Sequence, residues 1–311
     1  MQQNDPNITL ITATAPLSAA THGGRAKCLQ RLIRLDLPVP CTVALSFDAV
    51  HAIAAGNMPD MQAILTAFDT DDLLCVRPSS EDPDWGGPRA ILNIGMNDNR
   101  YQALRSQLGH EAAAGLYIRF VQSYAVHVAR LDPDMFDTSA AFGPQELAQA
   151  LQAYEAETEE EFPQDPAVQL AEVLRSMARA WEGVTARLLR QAKGAPVDAK
   201  LGLVVQKMAL SLGQGASGSG VFQMVSSVTG LPKLTGHYFN QSQGRRAAQG
   251  EQTLYLERDP RGPSLEDLVP EAFEALKQHS VLMRSRLREE MQIEFMLQDG
   301  KLRILDSVRV Q

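Results

Sequence analysis

The stretch that most restricts how this chain can fold is residues 291–310, MQIEFMLQDGKLRILDSVRV. Two runs of β-branched and large apolar residues, 293–297 and 302–305, flank Asp299-Gly300. Asp-Gly between two such runs is the strongest short-range signal for a two-residue hairpin. A plain turn groups Ile293, Phe295, Leu297, Leu302 and Ile304 on one side, pairs Glu294 with Leu305, and sends Glu294 and Asp306 to opposite faces. One extra residue in a bulge at Gly300 would bring the two acids to a common face. A carboxylate inside an apolar strand is costly to bury unless a cation or donor meets it. Glu294 therefore either lies on a solvated face or grips a divalent ion, with Asp306 as the second candidate ligand.

A chain of 311 residues has room for two or three lobes, each with its own core. Hydrophobic content of 44% and charged content of 21% are those of a soluble globular protein. No window approaches the roughly 18 apolar residues of a membrane span. The start, MQQNDPNITLITATAPL, lacks the basic and apolar regions of a secretory signal, so the cytoplasm is the expected location. Cys28, Cys41 and Cys75 have no metal-ligand spacing and make no pattern with the six scattered histidines; they read as reduced thiols. A net charge of -8 and a pI near 5.3 argue against a nucleic-acid binder, which would carry a basic stripe.

Along the chain, residues 8–14 read as a strand leading to a loop at 21–25, THGGR, and a helix from Ala26 to Leu35. Adjacent glycines at a helix start let backbone N–H groups meet an anion, with Arg25 adding charge; the same pattern also makes a simple turn. Residues 72–77 read as a strand ending in Arg77, followed by the Pro-, Gly- and Asp-rich loop 78–88 and a second strand at 91–95. A long loop tied to strand ends often binds or covers a ligand. Residues 99–199 carry helical periodicity: Leu116, Phe120, Tyr124 and Val128 in one segment, Leu170, Val173, Leu174, Met177, Trp181, Val184 and Leu188 in another. The acidic run 155–161 reads as a solvated linker, and Pro163 to Pro166 as a new helix start. His110, His127 and Trp181 read as ordinary surface or core residues. Strand signals return at 202–208. The glycine-rich 213–222 either approaches a ligand or makes a flexible hairpin; Thr229-Gly230 and Gly236 continue a meander. Residues 243–246 are an exposed basic turn, and 264–290 a helix. Strands at both ends around a helical middle give an α/β (α+β) class.

The order of these segments resembles the nucleotide-binding domain of pyruvate phosphate dikinase and phosphoenolpyruvate synthase, an ATP-grasp fold. The stretches that carry it are GGRAKCLQRLIRLDLPVP, LLCVRPSS, ILNIGMND, IRFVQSYA, DPAVQL, VVQKM, GASGSGV, TGLPKLTGHY and MQIEFMLQDGKLRILDS, in family order over nearly the whole chain. The resemblance implies ATP-grasp-like lobes at 1–98 with 200–240 and at 241–311, and a helical insertion at 99–199. It implies ATP and Mg²⁺ as cofactors, Arg25 and Arg77 at the phosphates as the catalytic pair, and Val205, Gln206 and Met208 beside the base. Gly218 and Gly220 fall at the nucleotide, and Glu294 and Asp306 at the metal. The implied partner is a phosphohistidine domain, in a longer chain or in trans, with neither nucleic acid nor membrane involved.

Several positions depart from the family. Its G-G-K-G-A-N-L lysine is Arg25 here, which keeps the charge and changes its geometry. Its phosphate-covering loop becomes Glu81, Asp82 and Asp84, which repel a triphosphate unless a cation intervenes. The arginine of T-R-N-P-S-T-G-E becomes Val225, the acid of G-E-Y becomes His237, and an acidic pair becomes Arg245 and Arg246. D-I-E-F and L-Q-T-R leave Gln292, Glu294, Asp306 and Val308, with Arg309 one residue away. Phosphoryl transfer rests on positioning and charge neutralisation. Two readings follow: a phosphotransferase half-reaction from ATP to a histidine carried elsewhere, or a catalytically inactive ATP-grasp domain with a nucleotide-sensing, regulatory or scaffolding role.

Overall fold

The computed structural model describes residues 7–136, 142–225, 232–240, 253–287 and 291–309, without the side chains of residues 232, 253, 308 and 309. Thr229-Gly230, the basic turn 243–246 and the side chains of Val308 and Arg309 lie outside what is described. The chain divides into two compact units, residues 1–27 with 41–208 and residues 28–40 with 209–311. Among the described residues there are ten α-helices and two five-stranded sheets, all of whose strand pairs are antiparallel. No described helix is long and apolar enough to cross a membrane.

The elements of the first unit are β1 (Ile8–Leu10), α1 (Ala19–Ile33, which continues into the second unit), β2 (Thr42–Leu45), α2 (Phe47–Ala54), α3 (Met61–Leu65), β3 (Leu74–Ser80), β4 (Ile91–Ile94), α4 (Asp98–Leu108), α5 (His110–His127), α6 (Pro144–Thr158), α7 (Pro166–Glu182), α8 (Val184–Ala192) and β5 (Leu201–Lys207). Its sheet runs β1-β2-β5-β3-β4. The central β5 is buried from Leu201 to Gln206 because helices cover it, with α2 packed on β5 and α7 packed on α2. A strand covered on both faces reads as an unbroken apolar run, which is what residues 201–205 supply.

Three helical expectations change. α1 begins at Ala19, earlier than the sequence reading, and is kinked at Gly23 (φ 85°, ψ 169°). Residues 155–158, the start of the acidic run, are the last turn of α6, so the linker is only residues 159–165. It carries Phe162, whose ring plugs the helical core with edge contacts to Tyr117, Phe120, Tyr124 and Tyr154 at 5.2–5.9 Å. α7 starts where Pro166 and its cap Asp165 place it, the Asp165 carboxylate accepting from Ala167 N at 2.8 Å. Its stripe Leu170, Val173, Leu174, Met177 and Trp181 is buried as expected, but Val184 and Leu188 are not. The chain breaks at Gly183, and α8 turns Arg190 inward instead. The Arg190 guanidinium lies 3.6 Å from the Trp181 ring centroid and donates to the Trp181 carbonyl at 2.7 Å. With the cation satisfied there, Val184, Leu188 and Leu189 face outward.

The second unit adds β6 (Gly218–Val225), β7 (Pro232–Asn240), β8 (Thr253–Tyr255), α9 (Leu265–Leu268), α10 (Pro270–Leu287), β9 (Met291–Gln298) and β10 (Lys301–Arg309), with sheet order β10-β9-β6-β7-β8. Strand pairing thus groups β6 and β7 with the C-terminal hairpin, whereas the sequence reading grouped 200–240 with the first lobe. Only β5 of that span joins the first sheet. Likewise helices 99–199 belong to the first compact unit. The single helix expected at 264–290 is broken at Val269-Pro270, because proline cannot continue the ladder; Leu265, Phe273, Leu276 and Leu287 are buried, while Leu268 is exposed.

On β6 the burial alternates, with Gly218, Gly220, Phe222 and Met224 on the core face. A Cβ at Gly220 would sit 2.5 Å from the Phe295 ring, and one at Gly218 2.5 Å from the Tyr238 hydroxyl. The two rings stack with centroids 6.2 Å apart over the space that side chains there would occupy. Gly220→Ala is therefore expected to destabilise by about 1–3 kcal/mol through overpacking, read as a lower urea midpoint. An unchanged midpoint would remove this packing role.

Candidate functional site

The residues singled out by sequence fall on two faces, one in each unit. In the first unit the glycine turn is clasped by the end of β3. Ser79 Oγ donates to the His22 carbonyl at 2.7 Å and accepts from Ala26 N at 3.1 Å, bridging the two halves of the kinked helix. Gly23 lies so close to this strand that a Cβ would fall 1.7 Å from the Ser79 carbonyl oxygen. The turn thereby delivers Arg25 to the strand, where its guanidinium donates to the Pro78 carbonyl, one residue past Arg77. Arg25, on α1, and Arg77, in the middle of β3, are both half-buried, and the Arg25 guanidinium meets the strand one residue from Arg77. The loop that follows is acidic as expected. Asp82 caps a short 3₁₀ turn by accepting from Asp84 N at 2.9 Å, while Glu81 and Asp84 are exposed.

Gln206 and Met208 sit at the far end of β5. Gln206 is 2% exposed and donates through Nε2 to Thr42 Oγ1 at 3.0 Å, an internal bond that ties its amide to the sheet. Met208 Sδ accepts from Asn93 N at 3.0 Å, and Met208 N donates to the Leu73 carbonyl. Asn93 has a positive φ of 64° inside β4 and anchors α5 by donating to the Leu116 carbonyl. This segment is thus locked by its own hydrogen bonds.

In the second unit the hairpin turns as the sequence predicts. Gln298 pairs with Lys301, and Asp299 and Gly300 both take positive φ, 48° and 78°, the signature of a two-residue type I′ turn. The glycine-rich segment 213–217 wraps this turn: Gly215 N donates to the Asp299 carboxylate, Asp299 N to Ser217 Oγ, and Gly300 N to the Ala216 carbonyl. The register then shifts between Ile304 and Asp306, so Asp306, not Leu305, stands opposite Glu294. Directly opposed residues share a face. The bulge thus lies at Leu305 rather than at Gly300, and it brings the two carboxylates together. Glu294 is half-buried, whereas Asp306 is 1% exposed and accepts from Ser307 N at 2.9 Å. Among the described residues no group of three or more His, Cys, Asp or Glu side chains converges as a metal cage would.

Beyond Glu294 the same face continues across the sheet in a way the sequence reading missed. Val221 pairs with Glu294 on one side and His237 on the other, and Gln223 pairs with Gln292 and Thr235. The signal was present in PKLTGHYFN: Lys233, Thr235 and His237 alternate with buried Leu234 and Tyr238.

The chain is similar over most of its length to enzymes whose names are known. It is 27% identical over 332 residues to the pyruvate, phosphate dikinase of Rhizobium meliloti (strain 1021), covering 92% of this chain and 36% of that protein. It is 28% identical over 261 residues to that of Clostridium symbiosum, covering 77% and 29%, and 25% identical over 324 residues to pyruvate, phosphate dikinase 2 of Oryza sativa subsp. japonica, covering 91% and 35%. The chain is a distant homologue of part of the pyruvate, phosphate dikinases. It spans about a third of the length of these curated relatives, and no protein-family model matches it. The resemblance read from the segment order is thereby borne out, and it runs through both sheets rather than through one motif.

Proposed function

We propose that this chain binds ATP with Mg²⁺ as the nucleotide-binding part of a dikinase-like, ATP-grasp phosphotransferase, passing the phosphoryl group to a histidine carried on another domain or protein. The observation that carries the reading is the clasp that sets Arg25 beside the strand bearing Arg77, in a chain homologous to the dikinases along nearly all its length. In this reading the two guanidiniums neutralise phosphate oxygens, where planar, delocalised cations give bidentate bonds. Within the second unit, Glu294 with Asp306 carries the hard oxygen donors that Mg²⁺ prefers. Gly218 and Gly220, which the resemblance places at the nucleotide, lie on the core face of a strand paired on both sides and pack against aromatic rings, so their surroundings give that assignment no support. Gln206 and Met208 stay assigned to the base through the backbone that their internal hydrogen bonds fix.

A second reading has its own support. Glu81 and Asp84 stand exposed just after Arg77, and Val225, His237 and Gln292 replace an arginine and two acids that the resemblance implies. These changes favour a domain that binds nucleotide and does not transfer its phosphate. Incubation with γ-labelled ATP, Mg²⁺ and a candidate histidine domain separates the two readings. The first expects label on that domain, reduced about 10- to 100-fold in Arg77→Ala, in line with the 1.5–3 kcal/mol typical of a charged hydrogen bond. Nucleotide binding with no label transferred selects the second.

A further inference from the structure

The break at Gly23 makes the helix restart at Gly24, and this restart has no cap of its own. A helix start leaves backbone N–H groups that a side-chain oxygen on the preceding residue ordinarily satisfies. Here that residue is Gly23, which has no side chain. The nearest hydroxyl before it, on Thr21, is engaged inside the first piece, 2.7 Å from Ser18 Oγ and 2.8 Å from His22 Nδ1. The missing oxygen has to come from elsewhere in the fold.

Ser79 supplies it from β3. Its Oγ accepts from Ala26 N, at the third position of the restarted helix, at 3.1 Å, and donates to the His22 carbonyl at 2.7 Å. The third position is one that an ordinary N-cap oxygen reaches. A single hydroxyl thus closes both sides of the break, and at 1% exposure it does so away from water. The His22 carbonyl packs directly on the adjacent β5: Gly202 pairs with Ser79, and a Cβ at Gly202 would lie 2.6 Å from the His22 carbonyl oxygen. One residue back along each segment, the Arg25 guanidinium donates to the Pro78 carbonyl. Residues 25–26 and 78–79 are therefore joined twice, once through a side chain of each segment.

We propose that Ser79 is the positioning residue for Arg25, a helix cap supplied by another strand that fixes the first turn of the restarted helix and so holds the Arg25 guanidinium at Pro78. Buried as it is, Ser79 does not touch the nucleotide; it acts only through Arg25. The proposal rests on the phosphate role given to Arg25 above. Without the cap, the Ala26 N–H and the His22 carbonyl lose their shared partner, the first turn loosens, and Arg25 has to be ordered when the ligand binds. Ordering one long side chain costs about 0.5–1.5 kcal/mol, which corresponds to about a three- to tenfold loss of affinity.

The test is a double-mutant cycle on Mg²⁺-ATP affinity, measured by calorimetric titration of the full chain as wild type, Ser79→Ala, Arg25→Met and the double variant. Ser79→Ala is expected to weaken binding about three- to tenfold when Arg25 is present, and to add almost nothing when Arg25 is already methionine. A role confined to general stability would give the same loss in both backgrounds. Ser79→Cys keeps the volume with a weaker donor and acceptor; it is expected to fall between wild type and Ser79→Ala, and it carries the same cycle if Ser79→Ala does not fold. Without nucleotide, the Ala26 amide is expected to exchange its hydrogen faster in Ser79→Ala than in the wild type. Equal losses with and without Arg25, no loss at all, or unchanged exchange at Ala26 would each overturn this proposal alone. Absence of Mg²⁺-ATP binding by the wild type would instead overturn the phosphate reading, and this proposal with it.

Discussion

Gly23→Ala is expected to destabilise the protein by about 4 kcal/mol, the upper range for a single substitution. Two costs add at this position. The backbone sits at φ 85°, ψ 169°, a region open essentially to glycine alone. A Cβ there would lie 1.7 Å from the Ser79 carbonyl oxygen, and no rotamer change moves a backbone atom away. Relief would require the turn to lift off β3, breaking the bonds of Ser79 to His22 and Ala26 and withdrawing Arg25 from Pro78. Two other glycines serve as controls. At Gly24 a Cβ meets the Glu81 carbonyl at 3.0 Å, a milder conflict, and at Gly109 it meets nothing within 4 Å, leaving only the cost of a positive φ. Urea denaturation of the three alanine variants should rank Gly23 as far the worst. A loss below about 1 kcal/mol for Gly23→Ala would mean that the clasp is not rigid.

Phe162→Ala is expected to cost about 3–5 kcal/mol, the usual range for emptying an aromatic site in a core. The residue lies outside any helix and is 4% exposed, and its ring touches four other aromatic rings edge-on. Removing it leaves a cavity shared by α5 and α6 and strips edge-to-face contacts worth about 0.5–1.5 kcal/mol each. Tyr117 and Tyr124, both held above the ordinary tyrosine range by burial, should titrate at lower pH in the variant. A spectrophotometric tyrosine titration checks this independently of stability. Unaltered titration together with unaltered stability would contradict the plug role.

What was legible in the sequence was local. Asp299-Gly300 specified its own turn, Pro166 with Asp165 specified the start of α7, and the strand signals at 202–208 specified β5. Each of these signals acts over a few residues, through fixed dihedral angles, a capped N–H or side-chain alternation. The features that escaped depend on distant partners. Arg190 turns inward only because Trp181 offers a ring and a carbonyl, and this reverses the outer face of α8. β6 and β7 join the second sheet because β9 pairs with β6, a choice that strand patterning alone does not make. The bulge at Leu305 leaves no mark in the composition, yet it decides that Glu294 and Asp306 share a face. His237 and Gln292 could be read as substitutions, but that they stand on one face of the sheet needed the register of three strands. The candidate site was thus readable as a set of residues through resemblance, while its geometry was not.

The central proposal is that Arg25 of α1 and Arg77 of β3 form a phosphate platform for a nucleotide. Calorimetric titration of Mg²⁺-ATP into the wild-type chain and into Arg77→Ala tests it most directly. The account requires saturable binding by the wild type, a matching rise in melting temperature because a ligand that prefers the folded state stabilises it, and affinity about tenfold weaker or more in the variant. Equal affinity in the two proteins, or no heat and no shift in melting temperature in the wild type, would contradict it.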